Sequence, residues 1–140
     1  MKIFFAIIFI SISLNSCDPG YSVVLSNNSS KDRTIKIIET NKYKTSRIDS
    51  IPISDTLKTT FFDNGISAMI PVISKDTTAN TYSFILQKGK KALLQHGIGG
   101  PDRSQKIVVA PGDTIPVQKN VPRVKIKKRF MSTAVDINVE

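Results

Sequence analysis

Tryptophan is absent, and cysteine and histidine each occur once in the 140 residues. One cysteine excludes an intramolecular disulfide, so stability must come from a packed core. A Cys/His zinc centre typically takes three or four ligands, and Cys17 with His96 falls short of that. Hydrolysis of the Ser–His–Asp type would depend on His96 alone, and no G-x-S-x-G turn accompanies it. Gly97 to Gly100 lack the strand and helix of a dinucleotide-binding unit, and no D-x-[DN]-x-[DN]-G calcium loop occurs. The reading is therefore of a non-enzyme without metal or cofactor. Long apolar runs are missing too: residues 3–14 form the longest, too short for the roughly 20 helical residues that cross a bilayer. Acidic residues are few, 11 against 20 Lys+Arg, for a formal charge of +9.

What is present begins with the leader. Lys2, the apolar stretch and the small residues after it follow the pattern of a secretory signal peptide over residues 1–16. The next motif, Leu14-Asn15-Ser16-Cys17, resembles the lipobox of bacterial lipoproteins. Leucine stands three places before the cysteine and a small residue directly before it, while Asn15 departs from the usual alanine, serine or threonine. The resemblance implies cleavage before Cys17, acylation of its thiol, and residues 17–20 as a lipidated tether. It places the chain in the cell envelope, held to the inner or outer membrane and facing the periplasm or the cell surface. Two or three acyl chains anchor firmly where one does so marginally.

Removing residues 1–16 leaves 124, the size of one domain, here residues 21–140. Only Lys2 is lost from the charged set, so 19 basic residues face 11 acidic ones, formally +8. Behind an export leader that excess does not point to nucleic acid; it points to a membrane surface, an anionic glycan or an envelope protein.

The mature chain alternates β-like segments with turn clusters, and none shows sustained helical periodicity. Residues 21–26 and 33–39 are expected to form a hairpin across the Asn27–Asp32 turn cluster. Residues 44–53 read as a strand demoted by Pro52, 56–62 as a strand ending at Asp63-Asn64-Gly65, and 66–74 as a partner of 81–88. Residues 91–96 read as strand or helical turn, 105–110 and 114–118 as strands, and 121–130 with 133–139 as a closing hairpin. Such spacing predicts an all-β fold, a single antiparallel β-sandwich with an immunoglobulin-like Greek key favoured and a small barrel as alternative.

Two surface patterns stand out. On a strand, Arg123, Lys125, Lys127 and Arg129 share one face, either a docking stripe for an anionic glycan or lipid, or a charged edge that resists sheet-to-sheet association. Asp precedes Ser or Thr at Ser50, Thr56, Thr77 and Thr114. These triplets resemble the O-glycosylation acceptor motif of exported Bacteroidota proteins, although Asp-Ser/Thr is also ordinary turn chemistry.

Overall fold

The computed structural model describes residues 20–40, 42–55, 66–98, 100–129 and 132–140. β-Branched residues two apart mark five of its strands, since they pack well on a pleated surface. In chain order these are β1 (Gly20–Asn27), β2 (Arg33–Ile38), β3 (Ser50–Ser54), β4 (Ala68–Pro71), β5 (Ser74–Asp76) and β6 (Thr81–Leu86). They continue as β7 (Lys91–Ile98), β8 (Lys106–Val109), β9 (Asp113–Pro116), β10 (Val124–Arg129) and β11 (Ser132–Val139). One short helix, α1 (Lys42–Arg47), precedes β3.

The strands form a six-stranded sheet, β10-β11-β1-β7-β3-β4, and a five-stranded sheet, β5-β6-β2-β8-β9. Their inner faces meet over one apolar core. Val23 and Leu25 of β1, Ile35 and Ile37 of β2, Tyr82, Phe84 and Leu86 of β6, and Val135, Ile137 and Val139 of β11 all contribute buried side chains. The fold is thus the expected all-β sandwich.

Several expectations are corrected. The barrel does not form: β10, β4, β5 and β9 are free edges among the described residues. Pro71 and Pro116 remove donors from two of these edges, while Lys125, Lys127 and Lys75 place charge on the others, and both devices stop further pairing. The expected β1–β2 hairpin is absent, because the Asn27–Asp32 cluster carries the chain from one sheet to the other. β1 pairs instead with β7 and, in parallel, with β11, an exception to the otherwise antiparallel pairing. Gly20, expected in the tether, already belongs to β1.

Residues 44–53 divide into α1 and β3. Residues 66–74 divide at Val72 and Ile73, whose N–H groups donate to Asp49 O and Ser83 O in opposite sheets. Only β5 then pairs with β6, while β4 pairs with β3. Residues 91–96 are strand, and the β10–β11 hairpin forms as expected. The expected strand at 56–62 and its turn lie outside the described residues, as do the expected signal peptide of residues 1–16 and tether residues 17–19.

Candidate functional site

A cleft of about 270 Å³ opens on the six-stranded sheet where β3 and β7 part. They pair only through Ile53↔Ala92 and Ser54↔Lys91. The cause is local: Ile53 O turns to β4, accepting Ser67 N–H at 3.0 Å, so alternation turns Pro52 towards β7, where it has no N–H to give. Beyond that point Ser50, Ile51 and Pro52 form one wall and Leu93 to His96 the other. Tyr21 closes one side by lying over Gly97, where an added Cβ would stand 3.1 Å from its ring. Gly97 is therefore a packing residue of β7 and not the loop glycine expected.

A bulge in β7 sets the floor. Val23 pairs with Gln95 and Val24 with Leu93, leaving Leu94 as the extra residue. Leu94 packs into the core, and the shift brings Gln95 to an inward position as well. There Gln95 Nε2 donates to Gln105 Oε1 at 2.8 Å, and its Oε1 accepts Asp102 N–H at 2.9 Å. Gln105 Nε2 donates to Glu39 Oε1 at 2.6 Å, and the Tyr82 hydroxyl reaches the same oxygen at 3.4 Å. Burial, reinforced by the adjacent Glu39 carboxylate, pushes the Tyr82 phenol well above its ordinary value of 10.0. A chain of Glu39, Gln105, Gln95 and Tyr82 thus lies under the cleft. Composition alone would have sent three of these four to the surface.

His96 is exposed at the cleft mouth, with Ser50 lining the same space. Among the described residues His96 makes no hydrogen bond or ion pair. The cleft offers a shaped, largely apolar surface with an amide floor. Nor is there a group of three His, Cys, Asp or Glu able to hold a metal among the described residues.

The basic stripe is only partly assembled. Lys125 and Lys127 are exposed on the outer face of β10, opposite Asp136 and Ala134 of β11. Arg123 precedes the strand and is ion-paired with Asp113. Arg129 ends β10, paired with Ser132. A shallow polar groove of about 220 Å³ joins Lys125 and Lys127 to Lys91, with Asp136, Asn138 and Ser26 beside them. Lys127 Nζ stands 3.5 Å from Asp136 Oδ2.

Of the hydroxyls in Asp-Ser/Thr pairs, Ser50 is exposed at the start of β3, Thr77 in the turn after β5, and Thr114 on edge strand β9. Thr56 lies outside the described residues. Thr114 is thus a strand residue, in line with the strand expected over residues 114–118.

A third feature escaped sequence reasoning. Met69 and Ile73 are each 54% exposed, with Ile66 and Ile85 at 44%, around the free edges of β4 and β5. Ile70, Ile73, Ile85 and Gln87 line a groove of about 320 Å³ between them. Exposed β-branched residues at a segment that switches sheets were the available signal. Among the described residues no helix is long and apolar enough to cross a membrane. Comparison with protein-family models finds no match for this chain, and comparison with curated proteins finds none either.

Proposed function

We propose that this chain is an envelope lipoprotein whose β-sandwich, anchored through acylated Cys17, acts by binding and not by catalysis. The anchor rests on the lipobox-like Leu14-Asn15-Ser16-Cys17. The binding role rests on the exposed apolar edge formed by Met69, Ile73 and Ile85. Isolated exposed apolar residues are ordinary, but Ile73 and Ile85 line one groove with Ile70, which suits apolar side chains of a protein partner. Metabolic labelling with a fatty-acid analogue should mark the wild type and leave Cys17→Ser unmarked and released from membranes. Labelling that survives in Cys17→Ser would end the anchor reading. Affinity capture should recover an envelope partner with the wild type and lose it with Met69→Lys/Ile73→Lys. Unchanged capture by that variant would end the edge reading.

A second reading takes the groove of Lys91, Lys125 and Lys127 as a site for an anionic glycan or lipid headgroup. Three cations around one acid, with Asn138 and Ser26 as neutral hydrogen-bonding groups, support it. Changing all three lysines to glutamine should abolish salt-sensitive binding to lipopolysaccharide; equal binding by the variant would remove this reading.

A further inference from the structure

The strand register identifies which end of the sandwich lies against the membrane. Gly20 starts β1, next to the centre of the six-stranded sheet. Only three chain steps separate it from residue 17, a reach of about 10 Å at full extension. The anchor point therefore lies within about 10 Å of the Gly20 end of the sheet. Register pairs fill that end: Gly20 with Ile98 on one side and Ser132 on the other, and Ser132 with Arg129. At about 4.8 Å per strand, the row from Arg129 to Ile98 is no wider than roughly 15 Å.

The chemistry of the two ends differs. At the Gly20 end Ile98 is 68% exposed, the most exposed large apolar side chain among the described residues. Lys128 is one register step from the row, and Arg103 and Lys106 belong to the connection that leaves Ile98 and to the strand it enters. All three are exposed, and none has an acidic partner among the described residues. The acids at this end are engaged: Asp49 with Lys75 at 2.8 Å, Asp102 with Thr40 and Ser104, and Asp76 with the N–H groups of its own turn. The opposite end carries Asp32, Asp55, Asp113 and Glu140 interspersed with its cations, with Lys90–Asp55 and Arg123–Asp113 paired.

We infer that the Gly20 end docks on anionic lipid headgroups, with Arg103, Lys106 and Lys128 at the phosphate level and Ile98 inserted among them. This deepens the anchored-lipoprotein reading and rests on it. Docking fixes the orientation of the domain and turns the opposite end, with Asn27 and Gly89, towards the solvent. Cationic contact close to an anionic surface strengthens binding about fivefold per charge and is screened by salt.

The test uses the acylated mature protein in phosphatidylethanolamine vesicles with and without phosphatidylglycerol. Cys17 is the only cysteine, so a fluorophore on Ile98→Cys or Lys88→Cys is unique once Cys17 is acylated. A headgroup-attached quencher should quench the label at 98 and spare that at 88, more strongly with phosphatidylglycerol and less at high salt. Arg103→Gln/Lys106→Gln/Lys128→Gln should shift the docked population roughly a hundredfold towards undocked, with the protein still floating with the vesicles. Equal quenching at 98 and 88 in floating protein would overturn the docking while leaving the anchor intact. Protein that carries no acyl mass and does not float would overturn the anchor, and the docking with it.

Discussion

The two ends of the sandwich are sealed by different means. At the end away from Gly20, one residue does the work: Asn27, fully buried, donates from Nδ2 to Leu86 O at 2.8 Å and Lys31 O at 3.0 Å. Its Oδ1 accepts from Ser29 N–H and Oγ, and its backbone pairs with Lys90 O and Gly89 N–H. At the Gly20 end the same task falls to Glu39, Gln105, Gln95 and Tyr82, beside a cleft that interrupts the sheet. Buried polar groups must be bonded in either place. The contrast shows that a compact local clamp leaves no room for a ligand, whereas a chain of long side chains leaves a cleft beside it.

The largest expected effect would break the clamp. Asn27→Ala should lose about 3 kcal/mol, since it removes a bond to the buried Leu86 carbonyl, at roughly 1–3 kcal/mol, together with the Oδ1 bonds that hold the Ser29 turn. Gln105→Ala removes two bonds of comparable geometry. Its cost should be smaller, about 1–2 kcal/mol, because the space it opens adjoins the cleft and water can enter to replace them. Urea denaturation midpoints of the two variants decide the matter. A Gln105→Ala loss exceeding that of Asn27→Ala would mean that the Gly20 end is the drier one.

Tyr82 sharpens the comparison through pH. Its phenol is held above the ordinary value of 10.0 by burial first and by Glu39 second. The folded state therefore keeps its proton where the unfolded chain has lost it. The stabilisation is complete below pH ~10 and declines above it by about 1.4 kcal/mol per pH unit. Tyr82→Phe should flatten that alkaline decline, and the wild-type phenol should titrate only as the protein unfolds. An alkaline decline just as steep in Tyr82→Phe would show that other groups cause it.

Much of this contrast is written in side-chain parity. Ile35, Ile37 and Glu39 stand two apart, as do Gln105, Ile107 and Val109, so both polar residues share the inward face of their apolar neighbours. Asn27 was visible as turn chemistry, although its role as a plug was not. Gln95 was not legible, because only the one-residue bulge at Leu94 turns it inward. Nor was the sheet switch after β1: a cluster of Asn and Ser reads as a tight turn whether the chain returns to the same sheet or crosses to the other. The basic stripe was half legible. Period two puts Lys125 and Lys127 together, while Arg123 is claimed by Asp113, a contact between segments ten residues apart that pattern alone does not show.

The smallest expected effect concerns what holds the cleft open. Lys75 of β5 donates to Ser46 O and Ile48 O, both at 3.1 Å, and meets Asp49 Oδ1 at 2.8 Å. It thereby ties the end of α1 and the approach to β3 to the other sheet. The carboxylate of Asp49 is 86% exposed, so the ion pair itself adds little. Lys75→Met keeps the aliphatic stem and deletes the donors, which should cost about 0.5–1 kcal/mol. Its clearer signature is local: amide hydrogen exchange should quicken at Ile48 and Ser50, on the cleft wall, and stay unchanged at Asn27 and Gly89. Uniform quickening at both ends would mean that Lys75 supports the whole sandwich and not the cleft wall alone.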